Sequence, residues 1–406
     1  MSPPSSTWLR RHLFRSPVDG IVTVVAGAVS LWVLYRTVRF VLVTGRWEVI
    51  RANHRLLMIG RFPEVHVLRL SVALIVLAGW GGLVAGYVRS RQLRAGRVER
   101  RDLGWSRARL LGLAERFWLP ILVLLLVLAL SSTAGPWMTA AGAVAAAAAG
   151  RALGPLLGRA VRGRWSAIGL ALAVAAVPIA MYVYVVSAAG FDEWGGFMLN
   201  LFLALCAIVL CFPLGVLFAL GRRSRLPLLR ILSTAYIEIV RGAPLFVLLL
   251  LANSALQFFV PRDLAPSKPA RAIIVLTLFT AAYMAEIVRG GLQSVPRGQV
   301  EAARALGLSP VRQTVLVVLP QALRNVIPAQ IGQLISLFKD TTLAGVAMAL
   351  FELLNVSESI TRQPEFRGQR LIGETLTFAA LLFWAVSYTM SRESQRLERK
   401  LGVGTR

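Results

Sequence analysis

The chain has 406 residues, 56% of them hydrophobic, with a mean hydropathy of +0.66 and a formal net charge of +26. A soluble domain of this length cannot hide so much apolar surface, and no run of short alternating strands suggests a β-barrel. The arginines fall in short segments between apolar runs, as the positive-inside rule distributes them. They are not interleaved with aromatics on one domain, which argues against a nucleic-acid partner.

In chain order, the residues predict an all-α polytopic membrane protein of about ten spans. Residues 8–19 are basic and amphipathic and predict a surface helix. The first span is expected at 18–43, retained and not cleaved, because no small-residue cleavage site follows the start. Residues 44–66 become a polar outer loop, although Arg46, Arg51, Arg55 and Arg61 run against the charge rule. Span 67–88 returns to the most basic loop, 89–116. Residues 117–132 and 137–150 predict a tight hairpin broken at Ala134-Gly135-Pro136, with a weakly hydrophobic second arm. After the basic segment 151–164, span 167–189 leads out to the acidic and aromatic turn Phe191, Asp192, Glu193, Trp194.

The second half starts at Gly196. Residues 197–220 span inward, 228–241 form an interfacial helix, 243–260 span outward and 271–289 inward. Beyond 297–320, residues 321–339 go outward with an interruption at Pro328. Residues 343–354 form a further apolar helix, and 371–390 form the last span before a basic tail. Both termini then lie on the cytoplasmic side. Cys206 and Cys211 are five apart in one apolar run, on different helix faces, so no local disulfide is expected.

Residues 297–320 are too charged for lipid, with Arg297, Glu301, Arg304 and Arg312 in close succession. Their punctuation predicts two short helices. The first puts Val300, Ala303 and Leu306 on one face, and Gly307 is placed to close it in the left-handed conformation. Ser309 and Pro310 open the second as N-cap and first helical residue. Val311, Val315 and Val318 continue the apolar face, and Pro320 ends it.

The order Glu301-Ala302-Ala303, Gly307, Leu319-Pro320 resembles the EAA loop of ATP-binding-cassette (ABC) importer permeases. Flanking stretches extend the resemblance to the polar amino-acid permease branch. They are Tyr236 to Pro244 with Glu238 and Arg241, Ala282 to Pro296 with Glu286 and Arg289, and Leu337 to Leu343 with Lys339 and Asp340. Ala243 and Thr342 depart mildly from that branch. Trp194-Gly-Gly, Leu220-Gly-Arg-Arg and Met390-Ser-Arg are similar to the larger, M-type permease subunit of the general L-amino-acid importer.

The resemblance implies a type I importer permease core over 196–400, preceded by additional N-terminal transmembrane helices in 1–195. It implies a subunit without its own ATPase site, placed in the bacterial cytoplasmic membrane and translocating amino acids. The implied partners are an ABC ATPase subunit that binds ATP and Mg, a second permease expected to be a different related chain, an extracytoplasmic solute-binding protein and membrane lipid. Glu301, Ala302, Ala303, Gly307, Leu319 and Pro320 would contact the ATPase. The alternative substrate is another polar metabolite, an opine or cationic compound.

Glu238, Arg241, Glu286, Lys339, Asp340 and Thr341 are candidates for the translocation pathway. An amino acid offers a carboxylate and an ammonium, and charges of both signs beside a broken helix suit it. They compete with the reading of structural ion pairs. No GxxxxGK[ST] occurs, so no phosphate-binding loop is expected. His12, His54 and His66 are scattered and no metal is expected. An embedded enzyme would need nucleophile, base or metal ligands facing one cavity, and no such set stands out, so no catalytic residue is expected.

Overall fold

The computed structural model describes residues 13–94, 107–160, 164–261 and 264–402. The expected surface helix at 8–19, much of the basic loop 89–116 and the end of the tail therefore lie partly outside the described residues. The chain forms two compact units, Met1–Val49 and Ile50–Arg406.

Among the described residues, the first unit is dominated by a long helix, α1 (Pro17–Arg39), running into a π-helical turn at Phe40–Thr44. Ser16 caps it by accepting from the Asp19 amide at 3.1 Å, and Pro17 needs no partner in the first turn. Trp47 folds back, donating from Nε1 to the Val41 carbonyl at 2.9 Å. No residue of α1 is buried, and its valines and leucines are exposed on all sides. A helix apolar all round is what lipid accepts.

The second unit begins with α2 (His54–Ile59). The expected outer loop is a folded cap: Leu57 and Phe62 are fully buried, and two of its arginines are used internally. Arg55 pairs with Glu64, and Arg61 sits 4.5 Å over the Phe351 ring. That use gives Arg55 and Arg61 a structural role within the cap, which their charge alone did not indicate.

Next come α3 (Val67–Arg94), α4 (Arg107–Ala129), α5 (Gly135–Ala160) and α6 (Arg164–Val186). The α4 axis breaks at Phe117, three residues before Pro120, whose ring crowds the preceding turn. The expected hairpin of 117–132 with 137–150 does not form; α5 packs along α3 instead. The reason is steric. Gly79, Gly82 and Gly86 of α3 face Ala146, Ala147, Gly150 and Gly154 of α5 so closely that a Cβ on Gly82 would lie 2.1 Å from the Ala147 carbonyl oxygen. The weak hydrophobicity of α5 is the composition of a small-residue interface, where helices in lipid gain from backbone approach and not from hydrophobic burial.

The remaining helices build one bundle. They are α7 (Gly196–Arg222), α8 (Pro227–Gly242), α9 (Leu245–Ser254), α10 (Lys268–Ser294), α11 (Arg297–Ala305), α12 (Pro310–Asn325), α13 (Ile327–Asp340), α14 (Leu343–Met348), α15 (Leu353–Ile360) and α16 (Ile372–Leu401). Leu199, Leu203, Leu249, Leu276, Leu337 and Met348 fill the core. α7 and α10 approach closely at Gly215, where a Cβ would stand 2.6 Å from the Met284 Cβ.

Two apolar helix pairs are sharply bent: α8 turns 100° into α9, and α12 turns 63° into α13–α14. The second break lies at Val326, two residues before the expected Pro328, and Pro328 opens α13. The expected helix at 343–354 is split at Ala349, which adopts φ +54°. The tail is not separate from the last span, because α16 continues to Leu401 and stops at Gly402 with φ +65°.

By length and composition, six helices among the described residues can cross a membrane, or eight if each bent pair is one crossing. The shorter apolar stretches Phe117–Ala129 and Ala176–Val186 add to these. Among the described residues the only β feature is an isolated bridge between Gly196 and Glu352.

Candidate functional site

The stretch 297–320 is a helix–turn–helix mounted on the end of the bundle. Pro296 precedes α11, and Ala303, 3% exposed, is its one buried residue. Val318 meets Leu292, Val295 and Ala322 in a second buried cluster, with Val300 and Leu319 packed against it, and this cluster anchors the hairpin.

The turn is a complete Schellman motif. The Leu308 amide donates to the Ala303 carbonyl at 3.2 Å, the Gly307 amide donates to Arg304 at 2.8 Å, and Gly307 has φ +74°. No atom lies within 4 Å of a Cβ built on Gly307, so conformation and not space requires glycine here.

Ser309 occupies the N-cap position of α12 but makes no side-chain cap bond. Gln313 instead donates from Nε2 to the Leu308 carbonyl at 2.7 Å, locking the turn from the other side. Pro320 does not end the helix. The backbone widens to π-helix over Gln313–Val318, and Pro320 then enters the first turn of an α-helical stretch, Leu319–Asn325. The wider register passes the missing N–H without a break.

The apolar face expected along both helices is divided. Val300, Ala303 and Val318 turn inward, while Leu306 is 80% and Val311 72% exposed, with Val315 and Leu316 also outward. The hairpin thus presents an apolar tip beside Glu301, Ala302, Arg304 and Arg312, all exposed. Leu319 is half-buried and Pro320 exposed. Gln321 donates to Gln299 at 3.3 Å and Asn325 to Ser294 at 3.0 Å, tying α12 to α11 and α10.

Directly behind the hairpin, three of the candidate pathway residues come together. Arg222, at the end of α7, bonds Glu238 of α8 at 2.8 Å and Glu286 of α10 at 3.2 Å. Arg289 donates from Nε to both Glu286 oxygens at 2.9 Å, and Arg241 approaches the same carboxylate at 3.8 Å. Arg241 also lies 5.5 Å over the Tyr283 ring. Glu286 is therefore the hub of a clamp joining α7, α8 and α10, with its charge matched inside the protein. Arg222 and Arg289 were not among the pathway candidates, although Arg289 stands in the same motif as Glu286. The spacing of three between Glu286 and Arg289 was the available signal.

The other three candidates lie toward the far end of α13. Lys339 is exposed and Asp340 half-buried. Thr341 is fully buried, donating to the Phe338 carbonyl at 2.7 Å and accepting from Asn200 Nδ2 at 3.0 Å. Asn200 leads to Glu352, which the sequence reading missed.

Glu352 lies just beyond the crossing segment and is fully buried. Its Oε1 accepts from the Asn355 amide at 2.9 Å. Its Oε2 accepts from the Leu354 amide at 2.9 Å and from Asn200 Nδ2 at 3.1 Å. Asn200 Oδ1 in turn accepts from the Leu353 amide at 3.0 Å. Burial pushes the Glu352 carboxyl above its ordinary range, against the pull of these donors. A lone acid in an apolar run and a lone asparagine in an apolar helix were the signals available.

Residues 211–402 match the family described as the binding-protein-dependent transport system inner membrane component. The chain is 36% identical over 210 residues to a probable glutamine ABC transporter permease protein, GlnP, of Bacillus subtilis, covering 50% of this chain and 91% of that protein. The chain belongs to the amino-acid permease family of ABC transporters. The family match agrees with the expected type I importer permease core and with a multi-pass inner-membrane protein.

Two longer amino-acid ABC permeases match as well. The inner membrane amino-acid ABC transporter permease protein YhdY of Escherichia coli is 42% identical over 212 residues, 52% of this chain and 57% of that protein. The glutamate/glutamine/aspartate/asparagine transport system permease protein BztC of Rhodobacter capsulatus is 43% identical over 210 residues, 52% of this chain and 48% of that protein. The matched region spans only about half the length of these two permeases. Among solved structures, an amino acid ABC transporter is 28% identical with a TM-score of 0.45, covering 50% of this chain and 92% of that chain.

Proposed function

We propose that this permease is the membrane subunit of an ABC importer that translocates amino acids, driven through the 297–320 hairpin by a separate ATPase. The single observation that carries the reading is the hairpin itself. It presents an exposed apolar tip, Leu306, Val311 and Leu316, next to Glu301, and is held rigidly to the bundle by the Gly307 stop and the buried Ala303. A surface of that kind transmits motion, because the tip cannot move without α10 and α12 moving with it. Glu301, Ala302, Ala303, Gly307, Leu319 and Pro320 constitute the coupling element, and ATP and Mg belong to the partner.

In this reading the hairpin and both termini face the cytoplasm. An extracytoplasmic binding protein delivers the substrate, and a second, related permease completes the path. The names of the relatives support amino acids as substrates over another polar metabolite. Residues 1–195 are an addition to the core of 196–400, and the α3–α5 pair gives that addition its own rigid interface. Glu238, Arg241 and Glu286 act as a clamp that transmits the hairpin's motion to α7 and α8, since their charges are already matched. Lys339, Asp340 and Thr341, at the end of a broken helix and braced by Asn200 and Glu352, remain the pathway candidates.

The test is substrate-stimulated ATP hydrolysis in reconstituted membranes, using this chain with its ATPase and binding protein and a panel of amino acids. Stimulation by one or more amino acids is expected. Glu301→Arg should lower it at least about tenfold, the consequence of losing roughly 1.4 kcal/mol at the contact. Undiminished stimulation in an assembled Glu301→Arg complex refutes the coupling role. An assembled complex that responds to no amino acid refutes the substrate class.

A further inference from the structure

The helix α8 is built inside out for a helix at a bundle end. Its charged residues Glu238 and Arg241 are engaged with α7 and α10, while Ser233 and Ile237 make its buried face. The opposite face is apolar and uncovered: Leu228, Ile231, Leu232, Ala235 and Ile239 recur at helical spacing and are all exposed. The axis of α8 turns by 100° from α9, and α8 packs on α7 and α10 through Glu238, which meets Arg222, and through Tyr236, which donates to the Leu278 carbonyl.

The turn that precedes it carries Arg223 and Arg225, and the first helical turn carries Arg230, all exposed. Among the described residues no acidic side chain pairs with these three, because the nearby Glu238 is taken by Arg222. Ser224 accepts from the Leu226 amide at 3.1 Å and holds the turn in place.

We propose that α8 and its preceding turn form a docking surface for anionic phospholipid. The acyl chains cover the stripe from Leu228 to Ile239, and Arg223, Arg225 and Arg230 hold the phosphates. An apolar face alone fits hydrocarbon or a protein neighbour. The three unpaired cations at one end of it select a partner with negative charge beside an apolar body, which is an acidic lipid at the headgroup level. Because Glu238 and Arg241 on the same helix are fixed in the clamp around Glu286, such a lipid would brace the α7–α8–α10 junction. The surface stands independently of the proposed coupling to an ATPase and is measured without one.

The full chain, purified from nanodiscs of phosphatidylcholine containing phosphatidylglycerol, is examined by native mass spectrometry for retained lipid. Wild type is expected to keep phosphatidylglycerol in preference to phosphatidylcholine, with the preference falling as salt is raised. R223Q/R225Q/R230Q should weaken that preference on the order of a hundredfold, and R223K/R225K/R230K should preserve it. A control that removes three exposed arginines elsewhere, R362Q/R367Q/R370Q, should retain it. Equal retention of both lipids by wild type overturns the proposal even if the glutamine variant fails to fold. So does undiminished preference in the glutamine variant. A cross-link from Leu232→Cys to a second permease chain in native membranes assigns the stripe to a protein and overturns it as well.

Discussion

Replacing Gly150 by alanine tests whether the contact between α3 and α5 holds the N-terminal half together. A methyl group at Gly150 would stand 2.0 Å from the Gly79 carbonyl oxygen and 2.9 Å from the Leu83 amide nitrogen. Ordinary contact begins at 3.4 Å, so the two backbones must part by about 1.4 Å, the difference between 3.4 and 2.0 Å. Neither obstacle is a flexible side-chain end, so the strain has no cheap release. The separation would extend along Gly82, Gly86 and Gly154, which rely on the same approach. Overpacking of this kind costs about 1–3 kcal/mol. Alanine recovers up to about 1 kcal/mol of helix propensity over glycine, and because a separation of about 1.4 Å sits at the upper end of the overpacking range, the net loss is about 2 kcal/mol.

Gly81→Ala is the matched control. It lies on the same helix one residue from Gly82, yet a Cβ there meets nothing within 4 Å. It should gain the propensity and lose nothing. Thermal unfolding of the purified chain in detergent reads both, at roughly 2–4 °C per kcal/mol. Gly150→Ala should melt several degrees below wild type and Gly81→Ala at or above it. Shifts of the same sign and size in the two variants would refute the argument that backbone approach, and not composition, makes α5 a partner of α3.

Glu286→Gln removes the one carboxylate shared by Arg222, Arg241 and Arg289, leaving three cations facing each other. A destabilisation of about 1–3 kcal/mol is expected, below the 3–5 kcal/mol of a fully buried pair because the groups are partly exposed. A double variant with Arg222→Gln should recover part of it, measured by the same melts.

Glu352→Gln puts an amide nitrogen, which cannot accept, against buried donors that now find two acceptor oxygens. At least one N–H is orphaned, at about 1–3 kcal/mol. Since burial raises the Glu352 carboxyl in the folded chain, the wild type is favoured below the ordinary value of 4.5 and loses that contribution as pH rises through the raised value. The gap between wild type and Glu352→Gln should therefore be widest at acid pH and narrow as pH rises. A gap that widens with pH would contradict the assignment.

Much of the helical order was legible in the chain, for local reasons. Apolar runs long enough to cross lipid, Pro17 and Pro310 at helix starts, and Gly307 with its left-handed φ are all settled within a few residues of sequence. The motif from Glu301 to Pro320 was legible for the same reason, since it is one contiguous hairpin. Tertiary contact decided the rest. Arg222 meets Glu286 across 64 residues and Asn200 meets Glu352 across 152, separations on which helical periodicity is silent. The partner of α5 depended on which backbone its glycines could approach, and which part of the hairpin's apolar face was covered depended on the bundle, which buries Ala303 and Val318 and leaves Leu306 and Val311 exposed. Periodicity ranks the faces of one helix. Only the packed neighbours determine which face is buried, because burial is a property of two surfaces and not of one.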